Sequence, residues 1–431
     1  MIKDFIKNIK NNQKILISYS GGLDSTVLLY QLIPFIKQIP FLKLRAIHIN
    51  HQLNKQSFSW AQYCRKICKK YSIPIIIKTL HIQTKNNIQE TARKLRYKII
   101  AEHMLPDEIL VTGHHSNDQC ETLFLSLKRG SGISGLSGIL QKSFFNKNKK
   151  IIRPLLNISK EQLETWAIKK NINWVEDDSN YINKYDRNFI RNKIIIPIQK
   201  RWPYFIQNCI RSMRLCYDQN IAINYFLDQI IHDISLFTDT LNISKFYIYP
   251  KAIQILLLRR WMFFNQKHHI SYNETKNIYN NIITTKNQNT INRINIKNIS
   301  IQKYKNNIFY IPKHQNIKNR ILFWFDYYKP LKLPNHLGYI IQDQYGMLLP
   351  KPNTSDLINI RFQLYENIRT DIGETTRKNF WQKNKIAPWN RNRIPILFYN
   401  TKLIAIMGFL VIKNQHTYTN TWRLSWIDFI I

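Results

Sequence analysis

The stretch KILISYSGGLDST, residues 14–26, leads from one apolar run through a pair of glycines into another apolar run. Gly21 and Gly22 can adopt positive φ, which lets backbone N–H groups approach an anion. The helix that begins near residues 25–26 adds its N-terminal dipole and its free amides. A strand, a Gly-Gly turn and a helix start therefore predict a phosphate-binding site at this point of the chain.

The polar residues of this turn narrow the kind of phosphate chemistry. Ser20 and Ser25 offer hydroxyl donors, and Asp24 either caps the helix or ligates Mg²⁺ carried by the phosphates of a nucleotide. The Walker pattern G-x-x-x-x-G-K-[ST] is absent, because no lysine follows the glycines. A loop that holds a departing pyrophosphate fits better than a loop that transfers a γ-phosphoryl group.

The N-terminal part of the chain alternates strand and helix patterns. Strands are predicted at residues 15–19, 44–49, 73–79 and 108–112, and helices at residues 26–32, 59–71, 88–104 and 118–129. Strand starts recur at intervals of about 30 residues, the size of a βαβ unit, which predicts an α/β fold with a doubly wound parallel sheet. Residues 20–25, 48–51 and 113–118 follow three of these strands, so we expect them to converge on one crevice.

The pattern changes after about residue 200 and again near residue 335. Helices predicted at residues 202–217 and 252–264 indicate a mainly helical domain over residues 206–330. Strand patterns at residues 360–369 and 394–412, with turns at Pro395 and Asn400, predict a small α+β C-terminal domain over residues 335–431. The first domain is assigned to residues 1–205. The Asn- and Lys-rich region 272–307 is compositionally biased and is expected to be partly mobile.

Net charge and apolar runs limit the class of partner. The 64 Lys and Arg residues against 26 Asp and Glu give a formal charge of +38, which favours a nucleic-acid partner. AT-rich codons are a second source of the lysine excess, because Ile, Asn, Tyr and Phe are abundant too. No run approaches the ~18 apolar residues of a membrane span, and no secretory signal opens the chain. We therefore expect a cytoplasmic protein without a membrane partner.

The cysteines, the histidines and one glycine-rich segment raise the question of disulfide, metal or dinucleotide sites, but their patterns predict none of these. The five cysteines include no Cys-x-x-Cys spacing, so neither a disulfide framework nor a structural zinc site is expected. Metal ligation is also not expected from the histidines that follow the strands, His48, His51, His114 and His115. GSGISG, residues 130–135, matches a dinucleotide fingerprint in form, but it follows a helical pattern and lacks the later acid.

SGGLDS, residues 20–25, resembles the PP-loop of the ATP pyrophosphatase superfamily, whose members adenylate a substrate and release pyrophosphate. Other stretches are similar to the tRNA(Ile)-lysidine synthetase family over nearly the whole chain. They are AIHINHQL (46–53), TARKLRY (91–97), TGHHSNDQCETLFLSLKRGSGISGLSG (112–138), RPLL (153–156), EDDSNYINKYDRNFIR (176–191), FWQKNKIAPWNRNRIPILFY (380–399) and LIAIMG (403–408). The resemblance implies a ligase that uses ATP with Mg²⁺ and acts on tRNA(Ile) with a CAU anticodon and on L-lysine.

The resemblance also implies a chemical scheme. ATP adenylates the C2 oxygen of the wobble cytidine, and the ε-amine of lysine then attacks C2 and displaces AMP. The lysidine that forms reads A instead of G and changes the tRNA from a methionine-like to an isoleucine identity. A homodimer stays an open alternative for the assembly.

The family motifs assign roles to individual residues. Nucleotide binding is assigned to Ser20, Gly21, Gly22, Leu23, Asp24 and Ser25. Asp24 is also assigned to Mg²⁺, which it would bind through the ATP phosphates. Asp118 and Glu121 join Asp24 as catalytic residues, to ligate metal, orient the incoming amine or take its proton. The alternative is that both are first-turn acids that favour the helix dipole.

The basic residues of two motifs are assigned to the substrate and the tRNA. Arg187 and Arg191 stand at i and i+4 and would form one basic face, for which a salt bridge with Asp177, Asp178 or Asp186 is the competing interpretation. The remaining residues of this set are Asn188, Arg93 and Arg96.

Two positions depart from the family pattern, and three other classes compete with it. Gln52 stands where the family usually has glycine, and Asn117 stands where it usually has the first of two aspartates. The competing classes are a tRNA thiolase with the same loop, a small-molecule amidating synthetase and a catalytically inactive RNA-binding protein. A thiolase would need a cysteine pair that the spacing does not offer, and an inactive protein would not need the intact SGGLDS with Asp118 and Glu121.

Overall fold

The computed structural model describes residues 1–9, 12–39, 42–52, 56–80, 88–146, 149–266, 270–284, 292–365, 368–370, 373–412 and 420–427. These residues form two compact units, Met1–Phe226 and Leu227–Ile431. No helix within the described ranges is long and apolar enough to cross a membrane. The predicted boundaries near residues 205 and 330 are not tested by this division and stay a prediction.

The first unit alternates strands and helices as the sequence predicts. Its elements are α1 (Lys3–Lys7), β1 (Lys14–Ser18), α2 (Leu23–Gln38), β2 (Lys43–Asn50), α3 (Ser57–Lys70), β3 (Ile75–Thr79), α4 (Ile88–His103), β4 (Glu108–Val111), α5 (Ser116–Lys128), α6 (Ile133–Leu136), β5 (Lys142–Phe145), β6 (Lys149–Ile152), α7 (Lys160–Lys169), a 3₁₀ turn (Asp178–Tyr181), α8 (Asp186–Phe189), a π-helical segment (Ile190–Ile195), α9 (Ile196–Arg201) and the first part of α10 (Phe205–Ile234), which continues past Phe226 into the second unit. The hairpin β5–β6 was not predicted.

The six strands form one sheet in the order β3-β2-β1-β4-β6-β5. Strand β1 pairs in parallel with β2 on one side and with β4 on the other, and only β5 runs antiparallel to its neighbour. From β1 the chain adds β2 and then β3 on one side. It then crosses back and adds β4, β5 and β6 on the other side of β1. This change of direction confirms the doubly wound sheet and puts its topological switch point between β1 and β4.

Strand β1 is buried on both faces, as a central strand between two helical layers must be. Ile15 and Ile17 pack into the apolar cluster that includes Val27, on α2. Leu16 packs into the opposite cluster with Ile47 and other apolar residues. The near-continuous apolar run of KILIS follows from this double burial, and it fixes the end of β1 where the glycine turn begins.

The second unit contains helices α11 (Ile243–Phe246), α12 (Lys251–Gln266), α13 (Tyr272–Ile278), a π-helical segment (Tyr279–Ile283), α14 (Arg377–Lys383) and a 3₁₀ turn (Arg391–Arg393). Its strands are β7 (Ser235–Phe237), β8 (Thr240–Asn242), β9 (Arg293–Ile296), β10 (Ile299–Tyr304), β11 (Asn307–Pro312), β12 (Ile321–Phe323), β13 (Leu331–Lys332), β14 (Tyr339–Pro350), β15 (Ile358–Arg361), β16 (Ile368–Thr370), β17 (Gly373–Thr375), β18 (Ile396–Tyr399), β19 (Lys402–Ile406), β20 (Leu410–Val411) and β21 (Thr421–Ile427).

The middle of the chain confirms the predicted helices and adds a sheet that the sequence did not predict. Strands β7 to β11 form an antiparallel sheet in the order β7-β8-β11-β10-β9. Two of its strands lie in the Asn- and Lys-rich region 272–307, where buried Ile296, Ile299 and Ile301 supply the apolar side chains. Asparagine between the isoleucines hid this pattern. Residues 285–291 of the region lie outside the described residues.

The C-terminal strands confirm the prediction for residues 394–412. Strands β12, β15, β18, β19 and β20 form an antiparallel sheet, and the turn predicted at Asn400 has a positive φ of 57° there. Strands β13, β14 and β21 form a second sheet. Of the predicted strand segment 360–369, residues 366 and 367 lie outside the described residues.

Candidate active site

A cavity of about 250 Å³ opens beyond the carboxyl ends of β1 and β4, at the switch point of the sheet. Two of the three predicted segments meet there, residues 20–25 after β1 and residues 113–118 after β4, and α4 and α8 complete the wall. The residues that line it are Ser18, Ser20, Gly22, Asp24, Ser25, Arg96, Tyr97, Ile100, Thr112, Gly113, His114, Asp118 and Arg187. The predicted crevice is therefore present, and it gathers residues from distant parts of the chain.

The PP-loop, residues 20–25, is folded onto the start of α2 by its own serines. Ser25 Oγ lies 3.0 Å from Ser20 Oγ and donates to the carbonyl of Gly22 at 3.1 Å. Gly21 has a φ of +87°, and a Cβ there would lie 3.0 Å from Cys64 Sγ on α3. Glycine is needed at this position both for its conformation and for its contact with α3. Leu23 is buried and begins α2.

Asp24 does not cap α2, which corrects that alternative. Gly22 is the N-cap residue, and it has no side chain to accept a hydrogen bond. Among the residues that the structure describes, Asp24 Oδ1 is buried and has no hydrogen-bond partner. Burial, together with the carboxylate of Asp118, raises the pKa of Asp24 against the opposing effect of His115. An unpartnered carboxylate oxygen of this kind is suited to a cation.

The N-terminus of α5 brings His115 and Asp118 to the same wall. The two residues form a capping box in which His115 Nδ1 accepts from the Asn117 N–H at 3.2 Å, and Asp118 Oδ2 accepts from the His115 N–H at 3.0 Å. Nε2 of His115 lies 3.6 Å from Asp24 Oδ2 and 3.6 Å from Asp118 Oδ2. The histidine therefore stands between the PP-loop carboxylate and the first acid of α5.

Four side chains form a charge cluster, here called the quartet: Asp118, Glu121, Arg187 and Arg191. Arg187 donates to Asp118 Oδ1 at 2.6 Å and to Glu121 Oε2 at 2.5 Å, and Arg191 donates to Glu121 Oε1 at 2.6 Å. The Glu121 side chain is fully buried. Burial alone would raise the pKa of Asp118, but His115 and the Arg187 guanidinium hold it well below its usual range. Asp118 is thus ionised, and both acids are paired with arginine.

The quartet bears on two alternatives that the sequence left open, the carboxylate partners of the arginines and the role of the α5 acids. The carboxylate partners of Arg187 and Arg191 are the acids of α5, whereas Asp186 forms its own exposed pair with Lys128 at 2.5 Å. The alternative that the α5 acids serve only the helix dipole is incomplete, because Asp118 both caps the helix and binds Arg187.

The other basic residues of the predicted set lie in different places. Arg96 lines the cavity, and burial lowers its pKa from the ordinary range. Arg93 is exposed, and its guanidinium lies 5.8 Å from the centre of the Tyr97 ring. Asn188 does not line the cavity; its side chain donates to the carbonyl of Ile182 at 3.0 Å and holds the preceding loop.

Two departures from the family pattern have a structural counterpart. Gln52 adopts a φ of +52°, a conformation that glycine adopts more readily. Asn117 Oδ1 accepts from the backbone N–H of Lys160 at 3.0 Å, so it joins the starts of α5 and α7. Asn117 is not among the residues that line the cavity.

Histidines and cysteines near the site have structural contacts. His48 Nδ1 lies 3.0 Å from the carbonyl of Tyr19, and Cys64 packs beneath Gly21. Cys120 is buried on α5 in an apolar cluster with Cys209. The segment 130–135 follows helix α5 and contains the start of α6, so it is not a strand-to-helix dinucleotide turn.

Comparisons with known proteins agree with this geometry. Residues 1–198 match the PP-loop domain family, and residues 358–426 match the TilS substrate C-terminal domain family. The tRNA(Ile)-lysidine synthase of Buchnera aphidicola subsp. Schizaphis graminum is 44% identical over 431 residues, which cover 98% of this chain and 96% of that protein. The chain belongs to the tRNA(Ile)-lysidine synthase family. Its predicted family and fold class are thereby confirmed, and so is its class as an ATP-using ligase.

More distant tRNA(Ile)-lysidine synthases align over the same length. The protein of Haemophilus influenzae strain PittEE is 34% identical and covers 94% of this chain and 96% of its own. The protein of Shigella flexneri is 32% identical and covers 94% of each. Among solved structures, the U34-tRNA thiolase NcsA from Methanococcus maripaludis aligns with a TM-score of 0.42 and 23% identity over 49% of this chain and 74% of that one.

The tRNA(Ile)-lysidine synthase motifs contain an aromatic lining residue to which the sequence analysis gave no role. Tyr97 lines the cavity, and Arg93 and Arg96 lie over its ring at 5.8 and 5.6 Å. Arg153 was missed too; it is buried and donates to the carbonyl of Leu140 at 2.6 Å. Both stand in stretches that carry the resemblance, TARKLRY and RPLL, and that context was the available signal.

Proposed function

We propose that this protein ligates the ε-amine of L-lysine to C2 of the wobble cytidine in the CAU anticodon of tRNA(Ile). ATP would first adenylate the C2 oxygen with release of pyrophosphate, and the amine would then displace AMP. The product is lysidine, which changes codon reading and amino-acid specificity from Met to Ile. A base oxygen is a poor leaving group until it is adenylated, which is why the reaction consumes ATP.

One observation carries the proposal: the PP-loop and two members of the quartet, Asp118 and Arg187, border the same cavity. Ser20, Gly22 and Ser25 offer donors at the start of α2, where the helix dipole favours the phosphates of ATP. Asp118 and Arg187 line the same space. A nucleobase held there would have the phosphates on one side and the charged residues that handle the amine on the other.

Asp24 is the residue we assign to Mg²⁺ bound through the ATP phosphates. Its buried Oδ1 has no partner among the described residues, and a divalent cation would supply one. When bound, Mg²⁺ would offset the charge that develops on the departing pyrophosphate. Asp24 itself contributes a fixed carboxylate beside the backbone N–H groups of the loop.

Asp118 and Glu121 are the residues we assign to the amine. Both are paired with arginine in this structure, so a cationic ammonium would compete with Arg187 and Arg191 for their oxygens. The released guanidinium groups would then be available to phosphate or to the activated cytidine. The ammonium must lose one proton before its lone pair can attack C2, and the carboxylates can accept that proton and orient the resulting amine.

The tRNA would contact further basic surfaces. Arg93 and Arg96 are assigned to it beside the cavity, and residues 206–330 and 335–431 are proposed as tRNA-binding domains. The match of residues 358–426 to the TilS substrate C-terminal domain family supports this assignment.

The proposal is tested by product analysis. The purified protein is incubated with ATP, Mg²⁺, lysine and a tRNA(Ile) transcript, and the anticodon fragment is measured by mass spectrometry. We expect a lysyl adduct on the cytidine and AMP formation that needs both lysine and tRNA. AMP formation without tRNA, or an unmodified anticodon after AMP release, would contradict the proposal.

Asp24→Ala and Asp24→Asn test the assignment of the PP-loop carboxylate. We expect both to lose AMP formation by on the order of 100-fold or more while the protein keeps its fold, because the carboxylate acts on bound phosphate. Asp186→Asn is the matched control, since that aspartate is exposed and pairs only with Lys128 among the described residues. Normal turnover of Asp24→Asn would show that the carboxylate has no part in the reaction.

A further inference from the structure

His115 carries one ring nitrogen into a helix cap and the other between two carboxylates. We propose that it is a positioning residue whose proton stays on Nε2. This N–H orients the carboxylate of Asp24 for the adenylation step and the carboxylate of Asp118 for the attack of the amine. This inference rests on the proposed function, and it adds a role for a residue that none of the preceding assignments uses.

The tautomer follows from the cap. Nδ1 of His115 accepts from the backbone N–H of Asn117 at 3.2 Å, so it carries no proton. A neutral imidazole with a bare Nδ1 has its single proton on Nε2. The ring is 2% exposed, and the capping box with Asp118 holds its backbone. Burial and the cap together hold the ring in this orientation.

The proton on Nε2 lies between the carboxylates of Asp24 and Asp118. Nε2 itself lies 3.6 Å from one oxygen of Asp24 and 3.6 Å from one oxygen of Asp118, which is charge–dipole contact rather than a hydrogen bond. The second oxygen of Asp118 binds Arg187, and the second oxygen of Asp24 has no partner in the described part of the chain. His115 thus faces one oxygen of each acid and leaves the other for its own task.

Two carboxylates this close repel each other, and a single N–H between them lowers that repulsion. It also ties the orientation of the PP-loop carboxylate to the quartet. A ligand that shifts either acid would tighten or loosen the contact of His115 with the other. The histidine therefore links the ATP end of the cavity to the amine end.

If His115 served only as a helix cap, its substitution would affect stability but not the orientation of the two acids. Two variants separate the cap role from the positioning role. Asparagine is a strong N-cap residue whose Oδ1 replaces Nδ1, but it has nothing at the position of Nε2. Glutamine reaches the position of Nε2 with an N–H donor, but it is a weak cap. His115→Asn keeps the cap and removes the proposed contact, and His115→Gln does the reverse.

We expect His115→Asn to melt close to the wild-type temperature and to lose AMP formation on the order of 10–100-fold, because misplaced supporting groups cost about that much. His115→Gln should melt lower and yet keep more kcat than His115→Asn. The opposite order, with wild-type kcat in His115→Asn, would overturn the inference and leave the helix cap as the whole role.

Nitrogen-15 NMR of the labelled histidine ring gives a readout that does not depend on turnover. The His115 signal is assigned by its loss in His115→Asn, and we expect Nδ1 to show the chemical shift of a ring nitrogen without a proton, because it accepts from the Asn117 N–H. A proton on Nδ1 would also overturn the inference. Failure of the wild-type protein to make lysidine would instead contradict the proposed function, so the two outcomes are distinguishable.

Discussion

Gly113 follows β4 and lies against the backbone of the PP-loop. A Cβ at this position would lie 2.9 Å from the carbonyl carbon and oxygen of Asp24 and 3.0 Å from the nitrogen of Ser25. All three obstacles are backbone atoms, so no side-chain rotation can relieve the contact. The absence of a side chain at Gly113 therefore sets how closely the loops after β1 and β4 approach each other.

Gly113→Ala should displace the PP-loop and lower the free energy of unfolding by about 1–3 kcal/mol, the usual cost of overpacking. AMP formation should fall more steeply than stability, because the loop positions the phosphates. Urea titration and steady-state kinetics measure the two effects. Gly132→Ala is the control, since a Cβ there meets nothing within 4 Å; equal behaviour of the two variants would contradict the prediction.

His114 gives the first unit a pH dependence. Burial lowers its pKa to about 3, so between about pH 6.5 and pH 3 the unfolded chain binds a proton that the folded protein excludes. Stability should therefore fall as the pH falls through this window, by about 1 kcal/mol from this residue at pH 5.5. Thermal midpoints of wild type and His114→Gln at pH 7.5 and 5.5 test this pH dependence. The midpoint of the variant should fall less between the two pH values than that of wild type. An equal fall in both proteins would contradict the role of His114.

At the scale of elements, the quartet joins helix α5 to the turn of chain that contains Arg187 and Arg191. Arg187 is the second residue of the short helix α8, and Arg191 lies in the π-helical segment that follows. A π-helical turn widens the helix by one residue, a distortion that is frequent at functional sites. Both guanidinium groups reach the same buried glutamate, so the position of α8 depends on Glu121.

A double-mutant cycle should measure this coupling. Arg187→Met and Glu121→Gln, alone and together, should give a coupling free energy of about 1–3 kcal/mol, because each single change removes one of the two partners of a buried charge. The control cycle uses Lys128→Met and Asp186→Asn, whose side chains are 59% and 61% exposed. It should give about 0–1 kcal/mol, since exposed pairs contribute little. Equal values in both cycles would mean that the quartet is not a buried network.

At the scale of the whole molecule, the charge of +38 is spread over both units, and the second unit has a basic cavity of its own. Lys313, His314, Lys332 and His336 are among its lining residues, and no carboxylate is. The cavity lies outside the residues that match the TilS substrate C-terminal domain family. Phosphate groups of a bound tRNA are the ligands that such a surface would attract.

Lys313→Gln with Lys332→Gln should weaken tRNA binding and lower the slope of log affinity against log salt concentration by about 1–2. ATP binding should not change. Lys169→Gln with Lys170→Gln removes the same net charge from the end of α7 and serves as control. Binding titrations at several salt concentrations measure both. A slope equal to that of the control would show that the cavity does not contact the tRNA.

Prediction from the sequence succeeded where the signal was local. The strand, the glycine turn and α2 were predicted because apolar run, glycines and helix start are neighbours in the chain. It failed for the sheet β7 to β11, and from β9 to the start of β10 asparagine between isoleucines weakened the strand pattern. It left out Tyr97, whose place in the cavity depends on α4 packing beside the sheet. It also offered Asp177, Asp178 and Asp186 as partners of the arginines because they are close in sequence.

By itself, the sequence determined the alternation of strands and helices from β1 to α5, the PP-loop and the family to which the chain belongs. Only the tertiary structure decided which charges are paired. Arg187 and Arg191 bind acids that stand 66 to 70 residues earlier in the chain, and His115 contacts Asp24 across the switch point of the sheet. Local patterns encode local conformation, whereas a charge pair depends on which groups lose their water together when distant elements pack.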